Sequence, residues 1–168
     1  LEIGSDLSLN LNLLLFYTRV DGPLRLIQID TDQFAFRQPN DTLDSRGTEI
    51  NAVFRWDDFK IFLGYTHADV EEHTISGVEK APLVPKDRLN SVFVYEREDD
   101  IRIGLEAYYY GSQELASGAK SRDYWIFGLM IEKIFSEKFS LFINFENFTD
   151  TRQTRFGSIN TGTLASPI

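Results

Sequence analysis

Two histidines, His67 and His73, bracket Asp69, Glu71 and Glu72 in one short stretch. Imidazole and carboxylate are the donor set of a divalent-metal site. Here, however, they stand in a short charged run broken only by Ala68 and Val70, and a solvated charged loop has the same composition. Adjacent carboxylates at Asp57-Asp58 and Glu98-Asp99-Asp100 carry the residue types of a general acid–base pair. Each group is short and lies between apolar stretches, the position of a tight turn, where Asp and Glu satisfy the backbone. No G-x-S-x-G, H-E-x-x-H or phosphate-binding loop occurs. With no cysteine, a thiolate metal site, a cysteine nucleophile and a disulfide framework are all excluded. The expectation is therefore a protein that is not an enzyme, with no catalytic residue, no cofactor and no metal.

If chemistry does not organise the chain, its elements must. The 168 residues fit one domain, and a formal charge of -9 repels a phosphate backbone, so no nucleic-acid partner is expected. No segment approaches the roughly 18 consecutive apolar residues of a spanning helix. The mean hydropathy of -0.24 suits a soluble protein but equally a membrane β-barrel, in which only alternate residues meet lipid. Aromatics at 14 % are heavy for a small soluble core.

Alternation decides between these. From Leu7, odd positions read Leu7, Leu9, Leu11, Leu13, Leu15 and Tyr17, and even ones begin Ser8, Asn10, Asn12. A helix would wrap those leucines around its circumference, whereas a strand places them on one face. The same period predicts strands over 7–19, 46–56, 59–69, 87–97, 101–111, 123–135 and 139–149. Residues 124–135 are apolar on both faces and allow a buried helix, but their aromatic and β-branched content favours a strand. Tight turns at Asp57-Asp58, Glu98-Asp99-Asp100 and Ser136-Glu137-Lys138 alternate with longer loops over 69–87 and 112–122. Strands of ~10 residues with short turns at one rim and long loops at the other are the pattern of an outer-membrane barrel. Trp56, Phe59, Tyr95, Phe135 and Phe139 beside the tight turns, and Tyr109 and Trp125 toward the other rim, suit interfacial belts. Residues 20–45 then read as a long outside excursion, with Leu24 to Ile29 and Phe34 to Phe36 as a hairpin about Asp30-Thr31-Asp32. The competing reading makes Val20-Asp21-Gly22-Pro23 a periplasmic turn and adds a strand.

Several short motifs in order resemble the C-terminal part of the barrel of TonB-dependent outer-membrane receptors. Leu1-Glu2-Ile3-Gly4 is similar to the family's E-x-G strand, Phe16-Tyr17 to an F-Y strand end, and Arg46 to Ile50 to a G-x-E strand. Gly64 to Ala68 resembles Y-T-x-x-A, one residue shorter, and Ala81 to Pro85 a proline-bearing loop. Tyr109 to Gln113 resembles Y-x-G-x-Q, and Glu146 to Arg152 is similar to E-N-L-F-D-x-R. The resemblance implies an all-β antiparallel meander, about seven strands of a barrel that in this family has twenty-two. On that reading residues 1–168 are one partial domain without the plug, an excerpt of a longer receptor. Gly157 to Ile168 reads as loop, with the closing strand missing.

The family resemblance also implies a role in outer-membrane nutrient uptake, for a ferric siderophore, a cobalamin-like molecule or a glycan. Its partners would be outer-membrane lipid, the plug of the same receptor, TonB acting through that plug, and the small-molecule or glycan ligand. Alternation turns Glu49, Asn51, Arg55, Arg102, Glu106 and Tyr108 toward the lumen, where they would chiefly hold the plug. Tyr110, Gln113, Tyr124 and His73, at the rim and loops, are the candidates for ligand contact. The rivals are a soluble lipocalin-like barrel holding a small apolar ligand, which would turn its apolar face inward, and an outer-membrane enzyme on a small barrel.

Overall fold

A computed structural model describes residues 7–115 and 118–156, apart from the side chains of residues 154 and 156. The alternating segments form one antiparallel sheet in which each long strand pairs with the next in sequence order. Its strands are β1 (Leu7–Asp21), β4 (Thr42–Trp56), β5 (Phe59–Thr74), β7 (Asp87–Arg97), β8 (Ile101–Tyr110), β9 (Tyr124–Ser136) and β10 (Phe139–Phe145), in that order, with β6 (Gly77–Lys80) paired only to β5. A separate hairpin joins β2 (Arg25–Asp30) to β3 (Gln33–Arg37). The remaining element is a 3-10 turn, Gln153–Phe156. The barrel is not closed: β1 and β10 leave the two outer edges of the sheet unpaired.

β1 pairs with β4 without a break from Leu7↔Trp56 to Asp21↔Thr42. That register rules out a turn at Val20–Pro23 and leaves β2 and β3 as the outside hairpin. Its base is tied down by Arg25, which reaches Glu72 of β5 at 2.9 Å. The ambiguous segment is strand β9. Two expectations need correction. Residues 69–87, expected as loop, instead extend β5 to Thr74 and turn back as β6, with Glu71↔Lys80 to Thr74↔Gly77 paired. Strand 139–149 stops at Phe145, because the chain enters a left-handed conformation at Asn147 (φ 47°) that no strand accommodates. Leu1 to Gly4 and Gly157 to Ile168 lie outside the described residues.

The turns carry geometry of their own. Asp57 and Asp99 adopt φ values of 51° and 56°, the left-handed conformation that Asp tolerates better than bulky residues. The last pair of each hairpin is Trp56↔Phe59, Arg97↔Ile101 and Ser136↔Phe139. Counted through the registers Phe59↔Tyr95 and Ile101↔Lys133, the second lies two residues lower than the first, and the third three lower again. A mean drop of about 2.5 residues, or about 8.5 Å, for every two strands (about 9.6 Å) gives a strand tilt of about 41°, inside the range of membrane barrels.

No large side chain among the described residues is fully buried, and the residues below one-tenth exposure beyond glycine are Ala81 and Gln113. Leu11, Leu15, Trp56, Phe135 and Phe139 each keep more than half of their surface. A water-soluble fold of this composition would cover those side chains. Among the described residues this one is a single layer whose apolar face has no protein partner.

Candidate functional site

Register converts the alternation into two faces. On one, the rows across the sheet read Leu13, Ile50, Tyr65, Leu89, Tyr109, Trp125; then Leu11, Ala52, Leu63, Ser91, Ala107, Phe127; then Leu9, Phe54, Ile61, Phe93, Leu105, Leu129. This face is a continuous apolar band. Rings edge it at both ends: Phe59 lies 5.1 Å from Tyr95 and Phe135 5.4 Å from Phe139 beside the tight turns, and Tyr109 lies 5.1 Å from Trp125 at the other margin. Trp125 to Phe135 is about 34 Å along the strand and about 25 Å along the normal at a tilt near 41°, the height of a hydrocarbon band.

Beyond the outer margin the same face turns charged. Arg46 pairs with Asp69 at 3.1 Å, and Lys80 bridges Asp69 and Glu71 at 2.6 and 2.7 Å. Those carboxylates raise the Lys80 ammonium pKa above its ordinary value, the Asp69 hydrogen bond contributing most. At the inner rim Lys133 reaches Asp100 in the turn and holds that carboxyl below the usual range. Lys133 thus carries its charge from a lipid-side position to the aqueous edge.

The opposite face is polar. Glu49, Asn51, Arg55, Arg102, Glu106 and Tyr108 all project from it, as the alternation expects. Asn51 donates to Glu49 at 2.6 Å, and the Tyr108 hydroxyl donates to Glu106 at 2.9 Å. Near the turns an alternating row of charges spans four strands: Lys60 meets Glu96 at 2.6 Å, Arg102 pairs with Glu96, and Arg102 reaches Glu132 at 3.3 Å. Gly128 lies beneath Glu106, where a Cβ would come 3.2 Å from Oε2, so the carboxylate lies flat across the neighbouring strand. Apolar residues interrupt this face in places: Val53, Phe62 and Val92 are neighbours in a single row. Only the register brings these three together, because they lie on different strands.

Of the four rim candidates, the structure gathers three. Tyr110 and Tyr124 stack with centroids 5.1 Å apart at 16°. Gln113, 6 % exposed, has its side-chain oxygen 3.5 Å from Gln153 Nε2, donates its backbone N–H to Ser121 Oγ at 3.0 Å, and interacts with the Tyr124 phenol. His73 stands apart. It is on the register side of β5 shared with Phe59 and His67, and its Nε2 lies 3.3 Å from Asp44. His67 instead meets Asp87 at 2.7 Å, so the two histidines serve separate carboxylates, and among the described residues no metal-ligating group forms. A cavity of about 180 Å³ lies beside this rim, lined by Ala68, Lys80, Ala81, Lys86, Gln113 and Glu114 among others.

Asn147 to Arg152 closes the strand face by hydrogen bonding. Asn147 Nδ2 donates to the Thr151 carbonyl and the Thr151 N–H donates to Asn147 Oδ1, both at 3.0 Å. The side-chain amide therefore stands in for one rung of a ladder after the strand has ended. Asp150 accepts from Arg152 Nε at 2.7 Å and also pairs with Arg155, which holds its carboxyl below the ordinary range.

A tilted meander, apolar between two aromatic margins on one side and polar on the other, with two- to three-residue turns at one rim, is a segment of outer-membrane β-barrel wall. The family described as TonB-dependent receptor-like, β-barrel matches residues 1–148, and the chain belongs to it. Its place is the outer membrane, and the soluble lipocalin-like alternative falls with that membership. Among solved structures, the chain is similar to the closed form of the ferric-catecholate import receptor Fiu from E. coli K12. The match has a TM-score of 0.61 at 21 % identity and covers 85 % of this chain. The chain corresponds to 21 % of the length of that receptor chain. No curated protein matches.

Proposed function

We propose that this chain is part of the barrel wall of an outer-membrane receptor that takes up a scarce nutrient, with a ferric siderophore of the catecholate class as the preferred ligand and a cobalamin-like molecule or a glycan as lesser candidates. The observation that carries the reading is the joint presence of a lipid-compatible face and, behind it, a wet face whose outer end holds stacked tyrosines. Similarity to the receptor named above supports the catecholate preference. Glu49, Asn51, Arg55, Arg102, Glu106 and Tyr108 line the lumen and hold the plug of the same receptor, through which TonB supplies energy. Tyr110 and Tyr124 contact ligand at the outer rim, and Gln113 fixes Tyr124 in place. Residues 1–168 form one partial domain of that barrel. The family is one of transporters, and the two separated histidines offer no base and nucleophile for an enzyme on the same wall.

The test is uptake. Cells lacking the receptor are expected to lose accumulation of radiolabelled iron supplied as a ferric catecholate and to regain it with the intact gene. Unchanged accumulation of iron, cobalamin and oligosaccharide in the deleted strain would defeat the proposal.

A further inference from the structure

The wet face carries a cation that the wall itself does not neutralise. Arg88 of β7 is exposed, and none of the hydrogen bonds or ion pairs among the described residues engages it. Two other cations of that face, near the tight turns, behave differently, since Lys60 and Arg102 are both committed to Glu96. Arg55, exposed beside the Trp56 turn, lies at the opposite end from the stacked tyrosines. Arg88 pairs in register with Tyr110, which pairs with Tyr124, so guanidinium and stacked rings occupy adjacent places in one row. On the other side the row continues through Thr66 to Glu49, two strands and about 10 Å of sheet away. Glu49 is already engaged by Asn51.

We infer that Arg88 and the Tyr110–Tyr124 stack form an anion-reading subsite at the outer end of the lumen, for a ligand that presents a planar aromatic group bearing negative charge. A guanidinium offers paired N–H donors to adjacent oxygens, the geometry of a catecholate or an aromatic carboxylate, while a tyrosine face accepts the ring. A neutral glycan would use the rings but not the charge. Gln113 acts as a positioning residue: nine-tenths buried, it ties the 112–121 loop to the Tyr124 side of the stack. The inference rests on the receptor reading and adds which side chain selects charge.

The experiment uses the full receptor, plug included, purified in detergent, with ferric tris-catecholate (a trianion) and neutral maltoheptaose as probes in calorimetric titration. Arg88→Gln is expected to weaken ferric tris-catecholate about 10- to 100-fold, the worth of one or two charge-assisted hydrogen bonds. Arg88→Lys should recover only part of the loss, because a point charge lacks the fork. Tyr124→Leu tests the ring separately and is expected to weaken the same probe by a smaller factor. Equal affinity in wild type and Arg88→Gln would overturn the subsite while leaving the receptor reading standing. Absence of binding by both probes to the wild-type receptor would overturn both. A lowered melting temperature in ligand-free Arg88→Gln, with unaltered affinity, would assign Arg88 to the plug and so defeat the inference.

Discussion

Phe93→Arg is expected to destabilise the folded barrel far more than Val92→Arg, although the two positions are adjacent. Phe93 lies in the row Phe54, Ile61, Phe93, Leu105, Leu129, between the inner aromatic margin at Tyr95 and the outer one at Tyr109, and so near the middle of the apolar band. An arginine on the lipid face at that depth costs about 2–4 kcal/mol. The substitution also removes the ring that lies 5.7 Å from Phe59, a pair worth about 0.5–1.5 kcal/mol. The sum is about 2.5–5.5 kcal/mol. Val92 points to the wet face and pairs in register with Glu106. A guanidinium there meets water and a carboxylate, so a change within about 1 kcal/mol is expected. The assay is urea unfolding of the full receptor refolded into lipid vesicles, followed by tryptophan fluorescence and by the mobility shift of folded barrel. Equal losses for the two variants, or a larger loss for Val92→Arg, would refute the assignment of faces.

Gly47→Ala places a methyl group against the His67 carbonyl oxygen and within 2.8 Å of the Phe16 ring. It is expected to cost at least about 2 kcal/mol in the same unfolding assay, overpacking being as damaging as a void. Asp57→Gly should be neutral or stabilising by up to about 1 kcal/mol, since φ at 51° suits glycine, whereas Asp57→Val should be destabilising by a similar amount or more. Asn147→Ala removes the rung to Thr151, and hydrogen exchange at the Thr151 amide should speed up about 10-fold or more. For Asp150, the Arg152 hydrogen bond lowers the folded pKa, so its contribution is present above the unfolded value of about 3.9 and is lost as pH falls through the lowered folded value. Protease protection of the 150–155 turn should hold at neutral pH and fall in strong acid, and Asp150→Asn should abolish that pH dependence.

How much of this was legible in the sequence varied with the physical cause. Strand β7 runs over Asp87–Arg97 as expected, because its alternation is bounded on one side by a turn run of carboxylates. The six residues expected to face the lumen share one face for the same reason: parity is a local property and survives any later packing. The β5–β6 hairpin is not legible in the sequence because its ladder is built from backbone groups, while its paired residues (Glu, His, Thr, Gly, Lys and a single Val) have the composition of a loop. His73 was grouped with the rim tyrosines by proximity to the loops. Carrying the odd-position count on from Phe59 through His67 would have placed it on the other face. The place of Arg88 beside Tyr110 is not legible in the sequence, since Tyr110 lies on another strand and adjacency across strands is set by register.

The lean of the strands has a consequence for what such a wall can surround. An upright strand takes about 4.8 Å of perimeter, but one tilted about 41° takes about 6.4 Å, so the seven long strands subtend about 45 Å rather than about 34 Å. Cross-section grows with the square of perimeter, and the same number of strands therefore encloses roughly 1.8 times the area. The stepwise drop from Trp56↔Phe59 to Arg97↔Ile101 to Ser136↔Phe139 is thus a setting of bore width, written in the pairing of the chain and independent of which side chains face inward.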